Sequence, residues 1–205
     1  MSRSLDRNPH IAPYSARAEQ FFRQYESLRF ADAHEQWLHC VPERSGRALD
    51  VGAGSGRDAR ALAEMGWRVT AVEPATGLRE LGELATQAVD GVLWLDSALP
   101  ELEGVTSAGE RFDLILLSAV WMHVTPDHRS HAMQRLAELL APSGLLVITL
   151  RHGPAADDRQ FYACDRQALK EQALECGLTV HFENSGHDQL GRDGVTWETV
   201  VLTRS

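Results

Sequence analysis

Between Leu49 and Gly56 the chain reads Leu-Asp-Val-Gly-Ala-Gly-Ser-Gly, an apolar run that breaks into three alternating glycines. Glycine carries no Cβ, so Gly52, Gly54 and Gly56 let the backbone turn sharply past Ala53 and approach a ligand closely. A helix starting there offers its free N–H groups to that ligand. Three carboxylates stand nearby in the reading. Asp50 precedes the glycines, Glu73 ends the next apolar run, and Asp96 ends a third. Glu73 has two acceptor oxygens that suit a ribose diol, and Pro74 after it favours an extended exit that aims the carboxylate into a crevice. Asp96 is placed to accept from an exocyclic amine of adenine, although a cap for a turn through Ser97 would use the same residue. Three acids around a glycine turn suit a cationic adenosyl ligand with an uncharged linker. Nicotinamide enzymes place G-x-G-x-x-G in this context; here the spacing is G-x-G-x-G, and Arg57 stands where their third glycine belongs.

A second group of residues lies where an acceptor molecule should approach. His123 follows the fourth predicted strand, and an imidazole with an ordinary pKa of about 6.5 suits deprotonation of a hydroxyl, amine or thiol. Its other reading is a loop histidine that packs on Trp121 or caps the next helix. Arg151 and His152 follow the fifth strand, either to recognise an anionic group or to pair with Asp157 and Asp158. Tyr14 and Arg17 are lid candidates, while Tyr14, Phe21, Phe22 and Tyr25 also read as the packing stripe of an appended helix. Trp121 and Trp197 line a pocket or sit in the core. His128 and His131 share a helix face, but no third ligand accompanies them, so no metal is expected.

These residues need a scaffold, and the hydrophobic period supplies one. Apolar positions from Ser15 to Leu38 recur at helical spacing, giving one long or two short helices with Ser15 as cap. Strands are then predicted around Ala48–Val51, Arg68–Glu73, Val92–Leu95, Phe112–Ser118 and Leu145–Leu150, alternating with helices that begin after Gly56 and near Thr76 and Thr125. Asp165 caps a last helix, and two β runs, Leu178–Phe182 and Val195–Leu202, flank a loop from Asn184 to Asp193. The alternation implies right-handed parallel crossovers in a doubly wound α/β sheet. The 205 residues make about one domain, with 1–45 as an N-terminal helical cap and 46–205 as the core.

Composition narrows the partners. The 29 acidic and 20 basic residues give a net charge of −9, which disfavours a polynucleotide. The three cysteines have no close pair and suggest no disulfide framework, the apolar stretches are too short to span a membrane, and Met1–Asn8 is not a signal peptide. A cytoplasmic address is the expectation.

On these motifs, from Arg47 to Ser205, the chain resembles the class I S-adenosylmethionine-dependent methyltransferases. The resemblance implies a seven-stranded, mostly parallel Rossmann-like sheet with an antiparallel last strand. It implies that Asp50 to Gly56 lies against the methionine part and ribose, that Glu73 binds the ribose hydroxyls, and that Asp96, Ser97 and Ala98 lie by the adenine. Phe112 to Val124 is similar to the family's fourth-strand motif, whose end, Ser118-Ala119-Val120-Trp121, faces methionine and substrate. Leu139-Leu-Ala-Pro-Ser-Gly144 is similar to the turn before strand five, with Ser143 in place of a glycine. The expected activity is methyl transfer from S-adenosylmethionine to an O, N or S atom of a small-molecule acceptor. An adenosylmethionine-binding module without transfer and an NAD(P)-dependent oxidoreductase are the alternatives. A base-amine methyltransferase is disfavoured because Ser118 to Trp121 replaces the N/D-P-P-Y motif of such enzymes.

Overall fold

The computed structural model describes residues 8–106, 110–155, 157 and 159–204. Seven strands form one sheet: β1 (Arg47–Val51), β2 (Arg68–Val72), β3 (Val92–Leu95), β4 (Phe112–Leu117), β5 (Leu140–His152), β6 (Leu178–His187) and β7 (Thr196–Arg204). Their order is β3-β2-β1-β4-β5-β7-β6, parallel except that β7 runs antiparallel to both of its neighbours. The order reverses between β1 and β4, and a crevice opens at the carboxyl ends of parallel strands at such a switch point. Helices α4 (Arg57–Glu64), α5 (Thr76–Thr86), α6 (Arg129–Leu139) and α7 (Arg166–Glu175) make the crossovers.

The central strands are continuous apolar runs because helices cover both faces of a parallel sheet. Leu114, Ile115, Leu116 and Leu117 of β4 and Leu146, Val147 and Ile148 of β5 are fully buried. Asp165 caps α7 by accepting from the Ala168 N–H at 2.9 Å, as its position predicts. Three short helices, α1 (Ala12–Ala16), α2 (Ala18–Glu26) and α3 (Phe30–His34), replace the one or two expected. Ser15 lies inside α1 rather than at a cap, and its Oγ accepts from the Gly77 N–H of α5. The last hairpin is longer than its hydrophobicity suggests. Strand β6 runs on to His187 because each added residue pairs with β7, as far as His187 opposite Thr196. Thr125 makes no side-chain cap; a single turn of 3₁₀ helix over Pro126–His128 leads into α6. The expectations for Met1–Arg7 and Asp158 lie outside the described residues. Among the described residues, no helix is long and apolar enough to cross a membrane.

Candidate functional site

A cavity of about 700 Å³ opens at the switch point. Its floor is the glycine turn. Gly52, Gly54 and Gly56 all have positive φ, at 70°, 57° and 80°. A Cβ on Gly52 would come 2.5 Å from Val120 Cγ2, so the closeness of this turn to the end of β4 requires glycine. The Tyr25 ring of α2 covers Gly54, within 3.3 Å of where a Cβ would stand. Glu73, at the end of β2, is 6% exposed. Its Oε2 accepts from the Gly54 N–H and its Oε1 from the Ala75 N–H, both at 2.9 Å. Pro74, Ser97 and Ala98 line the same wall, as do Ala53, Ser118 and Ala119. Asp96 lines it too, and its carboxylate lies 3.2 Å from Arg79 of α5. Ala119 adopts φ 60°, and its N–H donates to Thr149 Oγ1 at 2.8 Å, which fixes the chain as it leaves β4.

The opposite end of the cavity joins the N-terminal helices to the loops after β4 and β5. Tyr14 Oη lies 3.0 Å from His123 Nε2, and Arg159 Nη1 donates to the same oxygen at 3.2 Å. With Arg159 donating, the Tyr14 proton is satisfied by pointing at Nε2, which then accepts. Burial, followed by the charges of Arg159, His10 and Arg151, lowers the His123 pKa to about 4. Burial raises the Tyr14 pKa, so both groups are neutral near pH 7. Phe161 stands edge-on to His123, and the Arg159 guanidinium lies over the Tyr14, Phe21 and Phe161 rings.

Beneath the glycine turn is a buried ionic group. His34 Nε2 lies 2.8 Å from Asp58 Oδ2, and Arg57 Nε donates to Asp58 Oδ1 at 2.6 Å. Trp37 Nε1 donates to His34 Nδ1, which leaves Nε2 to carry the imidazole proton toward Asp58. Burial works against the Asp58 charge, but His34 and Arg57 outweigh it and hold the carboxyl below the ordinary aspartate range. Asp50 is shifted the other way. Burial and then the Asp58 charge raise its pKa well above the usual value, and its Oδ2 has no hydrogen-bond partner. Arg57, read from the sequence only as a missing glycine, is the cation of this group and also donates to the Tyr25 carbonyl.

Several expected residues stand elsewhere. Asp50 does not line the cavity; it is the penultimate residue of β1 and takes a hydrogen bond from the Ala59 backbone in the first turn of α4. Gly56 is also off the cavity wall and packs beside Trp94, Thr86 and Gly82. Trp121 is 1% exposed in the core, while its neighbours Val120 and Met122 face the cavity. Arg17 pairs with Asp157 at 3.1 Å outside the cavity lining. Successive residues of a strand point to opposite faces. Thr149 and Arg151 of β5, with Trp197 and Thr199 opposite them on β7, therefore face the cavity. His152 points away, 2.8 Å from Glu198, which also pairs with Arg166. Arg151 donates to the carbonyls of Gly153 and Pro154 rather than to Asp157, which takes Arg17 and Arg159. Arg159, Tyr25 and Phe161 had no recognised motif; only the arginine and aromatic content of their segments marked them. Among the described residues, no three histidine, cysteine or acidic side chains gather to hold a metal.

The comparisons with known proteins speak to the fold and the family. A family profile described as "Methyltransferase domain" matches residues 20–184. An uncharacterised methyltransferase of Oceanobacillus iheyensis is 27% identical over 153 residues, 73% of this chain and 68% of that protein. A ubiquinone biosynthesis O-methyltransferase of Azorhizobium caulinodans is 30% identical over 108 residues, 53% of this chain but only 41% of that protein. Among solved structures, the 1,6-didemethyltoxoflavin-N1-methyltransferase of Burkholderia thailandensis, with bound 1,6-didemethyltoxoflavin and S-adenosylhomocysteine, superposes with a TM-score of 0.76 at 20% identity. That match covers 100% of this chain and 92% of the other. A TehB-like S-adenosylmethionine-dependent methyltransferase of Corynebacterium glutamicum gives 0.68 at 19% identity, covering 93% and 99%. The structural matches establish the fold, and the profile spans most of the chain, from α2 through the core into β6. With its 3-2-1-4-5-7-6 sheet, this chain thus belongs to the class I S-adenosylmethionine-dependent methyltransferases.

Proposed function

We propose that the chain transfers the methyl group of S-adenosylmethionine to an O, N or S atom of a small-molecule acceptor held between the glycine turn and the N-terminal helices. The observation that carries this reading is the single cavity that runs from Glu73 and Ser97 to Tyr14 and His123. Its volume lies within the roughly 300–1,000 Å³ of small-molecule sites. The donor set fits the cofactor: a turn kept free of side chains, and a buried carboxylate for a ribose diol. S-adenosylmethionine, when bound, supplies an electrophilic methyl group at a sulfonium.

The chain's own residues position, enclose and deprotonate. Glu73 binds the ribose hydroxyls, while Ser97 and Ala98 flank the adenine with Asp96 at the rim. Ser118 and Ala119, both small and the latter fixed by Thr149, leave room for the reacting atoms at the end of β4. Tyr25 and Tyr14 close the site from the N-terminal side, excluding water and limiting acceptor size. His123 Nε2, neutral near pH 7 and accepting from the Tyr14 hydroxyl, takes the proton of the acceptor atom through that hydroxyl. The acidic surface and the enclosed cavity favour a small molecule over a polynucleotide. The test is an S-adenosylhomocysteine-release screen across phenols, carboxylates, amines, thiols and inorganic chalcogen species. Release with one acceptor class supports the reading, and binding of S-adenosylmethionine without release from any class would leave a binding module instead.

A further inference from the structure

Arg151 is 6% exposed and lines the cavity, yet among the described residues no carboxylate lies within ion-pair distance of it. Its two terminal nitrogens donate to the carbonyls of Gly153 at 2.8 Å and Pro154 at 2.7 Å, and its guanidinium carbon lies 4.8 Å from the centre of the Phe161 ring. Carbonyl dipoles orient a cation without neutralising it, and a buried charge left in that state is costly. The nearby charges add to the imbalance. Arg159, Arg192 and Asp188 also line the cavity; the two arginines repel Arg151 and outweigh the attraction of Asp188, which is itself engaged by Arg192. Arg159 shares Asp157 with Arg17, and Arg192 engages Asp188 through two nitrogens. Three guanidinium groups thus face two carboxylates, one of them shared, in a chain whose net charge is −9. Tyr14 and His123 beside them are uncharged near pH 7. An acidic protein that gathers one buried and two half-buried arginines along one cavity has built a place for an anion, and the Phe161 and Trp197 rings that line it too are apolar.

We propose that this corner binds the carboxylate of a small aromatic acid, with Arg151 as the counter-ion and Phe161 and Trp197 against the ring. The acid's hydroxyl or amine then faces Tyr14 and His123. Only the identification of this acid as the methyl acceptor rests on the methyl-transfer reading; the anion site does not.

The test is calorimetric titration of 3- and 4-hydroxybenzoate and 3,4-dihydroxybenzoate, each beside its carboxamide, into the protein alone and into the protein saturated with S-adenosylhomocysteine. At least one acid should bind, tenfold or more tighter than its amide. Arg151→Gln should weaken that acid tenfold or more while leaving the amide and S-adenosylhomocysteine unchanged, and Arg151→Lys should restore part of the loss. Equal binding of acid and amide, undiminished acid binding in Arg151→Gln, or no binding by any of the acids overturns the proposal. If Arg151→Gln fails to fold, shown by lost S-adenosylhomocysteine binding, the wild-type acid-to-amide ratio and Arg151→Lys decide. An acid that binds through Arg151 but yields no methylated product keeps the anion site and overturns its assignment to the acceptor.

Discussion

The Tyr14 hydroxyl lies 3.0 Å from His123 Nε2 across 109 residues of chain, with the two rings edge-to-face at 89°. This pair ties the first helix to the loop after β4, so the N-terminal segment forms a wall of the cavity as well as a packing partner of α5. Because the bond leaves Tyr14 and His123 acting on the same proton, their substitutions should not add. Tyr14→Phe and His123→Ala should each lower kcat by roughly 100-fold, the lower end of the usual range for general-base groups. The double variant should be little worse than the poorer single one. Unchanged turnover in His123→Ala would remove it from proton transfer, and full additivity would separate the two roles.

Glu73 holds two backbone N–H groups and is the carboxylate placed for a ribose. Glu73→Ala leaves both donors without this acceptor, so the fold should lose about 1–3 kcal/mol. Calorimetry should show S-adenosylmethionine binding weakened at least tenfold in protein that still melts cooperatively. Affinity equal to wild type would defeat the ribose assignment.

Asp50 links the site to pH-dependent stability. Its folded pKa is raised, first by burial and then by Asp58, so between the ordinary aspartate pKa and the raised one the native state holds a proton that the unfolded state has released. Native stability contributed by this group therefore falls as pH rises through that window. Asp50→Asn removes the titration at nearly constant shape. Its Tm relative to wild type should climb from pH 4 upward and then level off. A Tm difference that stays flat across this range would show that Asp50 is ionised in the native protein.

Gly52 sits at φ 70°, and a Cβ there would strike Val120. Gly52→Ala should cost about 1–2 kcal/mol from backbone strain alone, with the clash in addition. Val120→Ala, combined with it, should recover the clash but not the strain. Thermal melts of Gly52→Ala, Val120→Ala and the double variant separate the two contributions, and full recovery in the double variant would show that the backbone carries none of the cost.

The parts of this protein that its sequence determined are those set by local rules. Strand period and strand-end chemistry placed Gly52, Gly54, Glu73, Ser97 and Ser118 at the carboxyl edge of a parallel sheet, because a residue's place along a strand follows from its neighbours. Asp165 capped its helix for the same reason. Only the tertiary structure decided which side chains meet. Arg151 and His152 are adjacent, yet the pleat sends Arg151 into the cavity and His152 to Glu198 on the other face, and the register with β7 chose which of the two it would be. Trp121 became core because the 3₁₀ turn after β4 directs it inward between two cavity-facing neighbours. The Tyr14–His123 bond and the arginine wall around Arg151 join α1, β5 and three separate loops. No spacing in the chain encodes such meetings, since they depend on where the whole sheet carries each segment.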